Sequence, residues 1–217
     1  MSKSVAVLGL GKYGRSLAET LYKMGADVLA VDSHEDIIND FEGKCTSAVV
    51  ANLENEDEIL SLGLKNVDVV VSTMGNNIAA SILVVAVSKE LGVPTVVAKT
   101  SSKRMTSLLY KVGADKVLDP EKESGVRSAR ILMSSFKDFF EIDDNMYMAA
   151  MKPKKEWIGK NLIELGLRNT LNMNVIAVKE KGGNWQFVDP QVPFKEDAIL
   201  LVAMEKKNMK KWMLLED

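Results

Sequence analysis

The sequence predicts a doubly wound, parallel α/β sheet over residues 1–135, followed by a small α+β domain over residues 136–217. Three observations predict it. Six short, largely β-branched runs alternate with helical segments, the pattern of repeated strand–helix–strand units. One run, residues 67–73 (VDVVVST), is nearly continuously apolar, as a strand covered on both faces of a parallel sheet must be. After residue 135 the pattern changes to short strands separated by turn residues.

Taken in order, residues 4–9 (SVAVLG) form the first strand and end in glycine. A helix over 12–24 places Leu17, Leu21 and Met24 on one face, and Gly25 stops it. Residues 27–32 (DVLAVD) form the second strand, 34–41 a short helix and 47–51 the third strand. A helix over 54–62 follows, its N-terminus charged by Glu54, Glu56, Asp57 and Glu58. After the strand at 67–73 come a helix at 77–91, a strand at 95–99 and a helix at 102–112. A sixth strand at 116–118 and a helix at 121–134 lead out of the domain. Right-handed crossovers then give the strand order 3-2-1-4-5-6.

In the second domain, strands at 138–142 and 146–151 are joined by Asp143-Asp144-Asn145. Two helical pieces are expected at 157–165 and 167–172, and strands at 174–179, 185–188 and 198–204. Gly182-Gly183-Asn184 turns a hairpin. An amphipathic helix over 207–214 closes the chain, with Met209 and Met213 at helical spacing. Lys206, Lys207, Lys210 and Lys211 form its solvated basic face. A module of about 80 residues has a limited core of its own, so burial against a second copy is expected.

Composition narrows the function classes. The 217 residues are 47% hydrophobic and 27% charged, which excludes a disordered chain. A formal net charge of −2 gives no overall field for a polyanion, so nucleic-acid binding is not expected. Cys45, the single cysteine, has no disulfide partner, in keeping with a reducing cytoplasm. The start, Met-Ser-Lys-Ser, leads directly into a strand with no signal-type apolar region. The longest apolar run, 78–87, is about half of a membrane span and contains Ser81. The chain is therefore expected to be cytoplasmic, without a transmembrane segment. One histidine and one cysteine leave no material for a zinc site or a Cys/His nucleophile pair.

The strongest site signal is Gly9-Leu10-Gly11-Lys12-Tyr13-Gly14, which fits G-x-G-x-x-G at a strand–helix junction. Gly9 permits the tight turn, Gly11 lets a phosphate approach the backbone, and Gly14 lets the helix pack closely. The helix N-terminus offers free N–H groups and a partial positive charge to an anion. Asp32 closes the second strand about 20 positions on, where its carboxylate can accept both ribose hydroxyls. That carboxylate disfavours a 2′-phosphate, and hence NADP, because two anions would face one another. ATP, ADP, NAD and NADH stay open. A glycine turn with a capping aspartate and no ligand is the bland alternative.

No acid–base pair accompanies the loop. A dehydrogenase needs a proton donor near the hydride acceptor. His34 lies at the adenine end, and none of Tyr13, Tyr22, Tyr110 and Tyr147 is followed four places later by lysine. Lys99, at the end of the fifth strand, can contact phosphate as readily as it can act as an acid. The reading is a nucleotide sensor and not an enzyme. Two alternatives remain, an NAD-dependent oxidoreductase and a Rossmann redox-sensing regulator of transcription. The second lacks any basic helix-turn-helix segment.

The ordered set of motifs resembles the RCK (regulator of potassium conductance) family, the cytosolic gating subunits of Ktr- and Trk-type potassium uptake systems. The matching stretches are 7–14 (VLGLGKYG), 28–32 (VLAVD), 60–64 (LSLGL), 113–117 (GADKV) with 120–122 (PEK), and 158–162 (IGKNL). The resemblance covers essentially the whole chain and implies a Rossmann-like domain followed by a small C-terminal RCK domain. It further implies dimers assembled into an octameric ring, bound at the inner face of the membrane to a potassium-translocating subunit. Exchange of ATP for ADP, or occupancy by NAD(H), would reshape that ring. Carried onto this sequence, the glycine loop with Lys12 and Tyr13 would hold phosphates, and Asp32 and Ser33 the ribose. Asn52 and Leu53 would border the adenine, and Lys99 would lie near the phosphates.

Glu121 would match an acidic residue that helps hold Mg2+ or another cation beside the nucleotide, across the subunit boundary. Its bland reading is a first-turn helix acid stabilised by the dipole. Lys12 stands where many Ktr-type members carry arginine, which keeps the charge but loses the planar fork. The second domain resembles modules that bind cyclic di-AMP at a two-fold interface. Ile163, Arg168, Asn169, Asn174, Val175, Ile176 and Pro190 fall in the matching segments.

Overall fold

The computed structural model describes residues 2–75, 77–132 and 138–208. The chain divides into two compact units, Met1–Glu123 and Ser124–Asp217. The first unit is a six-stranded parallel sheet made of β1 (Ser4–Leu8), β2 (Asp27–Asp32), β3 (Ser47–Val50), β4 (Val69–Ser72), β5 (Thr95–Lys99) and β6 (Lys116–Leu118). Its order is β3-β2-β1-β4-β5-β6, the order expected from the alternation.

The side-chain period of two explains the core. Ala6 and Leu8 of β1 pack into one buried cluster with Val70, Val84 and Val96, while Val5 and Val7 pack into another with Val28, Ala30 and Val71. Both faces of the sheet are thus covered, by helices α1 (Lys12–Lys23), α2 (Glu35–Asn39), α3 (Glu56–Ser61), α4 (Ile78–Glu90) and α5 (Lys103–Val112), while α6 (Pro120–Leu132) follows β6 and runs on into the second unit. Capping residues set several helix starts. Asn55, Asn77 and Ser102 sit just outside α3, α4 and α5 and accept the N–H groups of Asp57, Ala80 and Met105. The helices expected at 54, 77 and 102 therefore begin at Glu56, Ile78 and Lys103.

The second unit is an antiparallel sheet of β7 (Asp138–Glu141), β8 (Met146–Met151), β9 (Met173–Lys179), β10 (Trp185–Phe187) and β11 (Ile199–Glu205), in the order β10-β9-β11-β8-β7. Its core joins Tyr147, Met151, Trp157, Leu167, Leu200 and Val202. The helix expected over 157–165 is broken. A 3-10 turn at Lys155–Trp157 gives way to an isolated bridge between Ile158 and Phe194, and Gly159 has φ +78°. Left-handed backbone at Gly159 cannot continue a helix. The helix restarts as α7 (Leu162–Leu165), where Asn161 accepts the Glu164 N–H and Glu164 accepts the Asn161 N–H. Then follows α8 (Leu167–Leu171). The helix expected over 207–214, with Met209, Met213, Lys210 and Lys211, lies outside the described residues after 208.

A nucleotide-type cleft at the strand-order switch

The switch in strand order between β1 and β4 opens a crevice at the C-terminal strand ends, where ligands of such sheets bind. The glycine loop lies there. Gly9 has φ +97°, and a Cβ on it would stand 2.8 Å from Met74 Cγ. Gly14 packs the start of α1 onto the loop, since a Cβ there would lie 2.0 Å from the Gly9 carbonyl oxygen. Gly11 faces open space, with nothing within 4 Å of its would-be Cβ. No acidic side chain occupies the first turn of α1. An anion at Gly11 would meet N–H groups with no carboxylate in that turn to repel it.

Asp32 anchors the other wall. Its Oδ2 accepts the Leu10 N–H at 2.7 Å, and its Oδ1 accepts the His34 N–H at 3.1 Å and faces His34 Nδ1 at 2.9 Å. Burial pushes this carboxyl up, but the donors from Leu10 and His34 outweigh it and hold the group below the usual carboxylate range. A carboxylate kept ionised against burial is suited to accept a diol. The cleft measures about 330 Å3, and Gly9, Gly11, Asp32, Ser33, Asn52 and Leu53 all line it.

Six lining residues carried no ligand role in the sequence reading: His34, Ile37, Glu54, Met74, Asn77 and Ala80. Glu54 accepts a hydrogen bond from the Asn77 side chain, and Asn77 also caps α4. The segment after β4 borders the switch point, so the strand-end rule was the available signal for Met74 and Asn77.

Lys12, Tyr13, Gly14, Lys99 and Glu121 are not among the residues lining that cleft. Three of them form a second group. Lys99 Nζ pairs with Glu121 Oε1 at 2.6 Å and lies 5.9 Å from the centre of the Tyr13 ring. The Lys99 hydrogen bond draws the Glu121 carboxyl down despite some desolvation, while burial, then Glu123 and Glu121, push the Tyr13 hydroxyl up. Glu121 thus engages a cation of its own chain. Among the described residues no group of three or more His, Cys, Asp or Glu side chains could hold a metal ion.

In the second unit a cleft of about 380 Å3 is lined by Ile163, Arg168, Asn169, Asn174, Val175 and Pro190. Ile176, on the same strand β9 (Met173–Lys179), is not among the residues that line it.

A glycine turn on the first crossover, a carboxylate ending β2 and the order 3-2-1-4-5-6 define a Rossmann-type domain, here joined to a small antiparallel module. A family profile for the TrkA-N domain matches residues 5–120. Ktr system potassium uptake protein A of Bacillus subtilis (strain 168) is 32% identical over 212 residues, covering 97% of this chain and 96% of that protein. Protein C of the same strain is 32% identical over 207 residues, covering 94% and 93%. The chain belongs to the TrkA-N family of Ktr-type potassium uptake proteins.

The fold is shared with the GsuK RCK domain, at a TM-score of 0.68 and 16% identity over 99% of this chain. The NAD-bound GsuK channel gives 0.66 at 17% identity over 96%. This chain spans 48% and 38% of those two chains. A GsuK structure bound to ADP gives 0.52 at 14% identity over 60% of this chain. Among the described residues no helix is long and apolar enough to cross a membrane.

Proposed function

We propose that this chain is a cytoplasmic, non-catalytic regulatory subunit that binds an adenine nucleotide, ATP/ADP or NAD(H), and sets the activity of a membrane potassium-translocating partner. One observation carries the reading. The open backbone at Gly11, the acid-free start of α1 and the ionised Asp32 carboxylate converge on one cleft whose size suits an adenosine phosphate. In this reading Asp32 and Ser33 take the ribose, Asn52 and Leu53 border the adenine, and the segment Gly9 to Gly14, with Lys12 and Tyr13, holds the phosphates. The solved neighbours that hold NAD and ADP support the ligand class.

Lys99 and Glu121 supply the discrimination. Lys99 holds Glu121 in this structure, and a phosphate brought beside it would compete with that carboxylate for the ammonium. Transfer of Lys99 to a phosphate would free Glu121 for Mg2+ or another cation. A ligand with one more phosphate then favours a different local arrangement, and such a difference in affinity between two states is what a switch requires. Residues 1–135 would act as the sensor and 136–217 as the pairing domain of dimers built into an octameric ring at the inner membrane face. The cleft of the second unit, with Arg168, Asn169 and Asn174 beside Ile163, Val175 and Pro190, supports cyclic di-AMP as its ligand.

A thermal-shift series with ATP, ADP, AMP, NAD, NADH and cyclic di-AMP tests this. ATP or ADP should raise the melting point, by the equivalent of about 2.7 kcal/mol at a hundredfold excess over Kd. Arg168→Ala should abolish only the cyclic di-AMP shift. The nucleotide reading fails if no adenine nucleotide shifts the melting point, and the regulatory one if the protein turns over a 2-hydroxy acid with NAD.

A further inference from the structure

We infer that His34 is a built-in occupant of the Asp32 carboxylate, whose imidazole holds the place of a ribose hydroxyl and must leave for the ribose to bind. The inference rests on the nucleotide reading of the cleft. A carboxylate offers about four acceptor directions. On Asp32 one is taken by the Leu10 N–H, a second by the His34 N–H and a third by His34 Nδ1. The first two are backbone donors, held in place by the glycine turn and by the start of α2. A ribose needs two directions for its 2′- and 3′-hydroxyls, and only one is open until the imidazole moves.

Burial says which member moves. The Asp32 side chain is 12% exposed and the His34 side chain 74% exposed. The ring can rotate into water with little loss of packing, whereas the carboxylate cannot follow it. Nδ1 faces an acceptor-only carboxylate and therefore carries the hydrogen, with Ser33 Oγ 3.2 Å from the same nitrogen.

The charged groups around the ring are acidic. Asp32 on β2 and Glu54 after β3 are the charged side chains lining the cleft beside His34, and Glu35 and Asp36 open α2. Among the described lining residues no lysine or arginine opposes a second proton on the ring. A protonated ring would turn this hydrogen bond to the carboxylate into an ion pair, which a ribose displaces less readily. His34 is the only histidine in the chain, so an imidazole effect has a single source.

The test measures ADP affinity of the full chain by calorimetric titration at about pH 6 and about pH 8, for the native protein and His34→Ala, windows chosen for imidazole. Titration of the ADP phosphate is common to both proteins and cancels in the comparison. At the lower pH the variant should bind ADP about three- to fivefold more tightly than the native protein, the scale of an exposed pair, and the gap should narrow at the higher pH. With 2′,3′-dideoxy-ADP, which lacks the competing hydroxyls, the gap should vanish. Equal affinities at both pH values, weaker binding by the variant, or the same gain with the dideoxy ligand would each overturn the inference. Absence of ADP binding by both proteins would instead retire the nucleotide reading itself.

Discussion

A methyl group added at Gly11 meets nothing within 4 Å, whereas one added at Gly14 lies 2.0 Å from the Gly9 carbonyl oxygen and 2.7 Å from Thr73 Oγ1. The two glycines therefore separate ligand space from folding space. Gly14→Ala should lower stability by about 1–3 kcal/mol in denaturant titrations, because backbone and not a flexible side chain must give way. Gly11→Ala should change stability by less than about 1 kcal/mol, as expected at a helix cap, yet weaken ADP binding by about tenfold or more. Asp32 carries the second prediction at this scale. Its carboxyl is held below the usual range, so its contribution to stability is full above an unfolded value of about 3.9 and disappears as pH falls through the lower folded value. Asp32→Asn should therefore cost more stability near neutrality than near pH 3, as read from unfolding midpoints (the unfolded reference being an ordinary aspartate, about 3.9). A cost independent of pH would mean that the donors from Leu10 and His34 do not favour the ionised form.

At the scale of elements, legibility followed the strength of the local physics. β2, β5 and β6 coincide with the runs read from the sequence, since a β-branched run between turn residues has little freedom to slide. Helix ends moved by a residue or two wherever a cap lay inside the expected span, as at Asn55 and Ser102. The broken helix before α7 escaped because its apolar spacing continues through Gly159, and only backbone conformation reveals the interruption. In the cleft, Gly9, Gly11 and Asp32 were readable because motif and spacing name them. No motif names Met74 and Asn77, which only the strand-end rule could have suggested and which come near the loop once β4 pairs with β1. One connector invites a direct test. Asn172 ends α8 with φ +51°, its side chain is exposed, and β9 starts at the next residue. Asn172→Gly should be neutral or slightly stabilising, while Asn172→Val should cost about 1–2 kcal/mol from left-handed strain. Equal stability of the two variants in chemical denaturation would show that this conformation is not required.

At the scale of the whole chain, the buried clusters divide cleanly by sequence. Those built on Val5 through Ala114 serve the parallel sheet, and the one built on Tyr147 through Met204 serves the antiparallel sheet. Each unit thus has its own source of cooperativity, so scanning calorimetry should resolve two transitions. A ligand stabilises only the cooperative unit that binds it. ADP at a hundredfold excess over Kd should raise one transition, by about 2.7 kcal/mol of stability, and leave the other in place. Leu200, fully buried in the second core, identifies the other: Leu200→Ala should cost about 2–5 kcal/mol and lower the transition that ADP does not move. A single transition that ADP raises and Leu200→Ala lowers would mean that the two sheets melt as one. Nucleotide occupancy in the first unit would then reach the second through shared stability, and a switch between two arrangements of intact units would no longer be needed to transmit it.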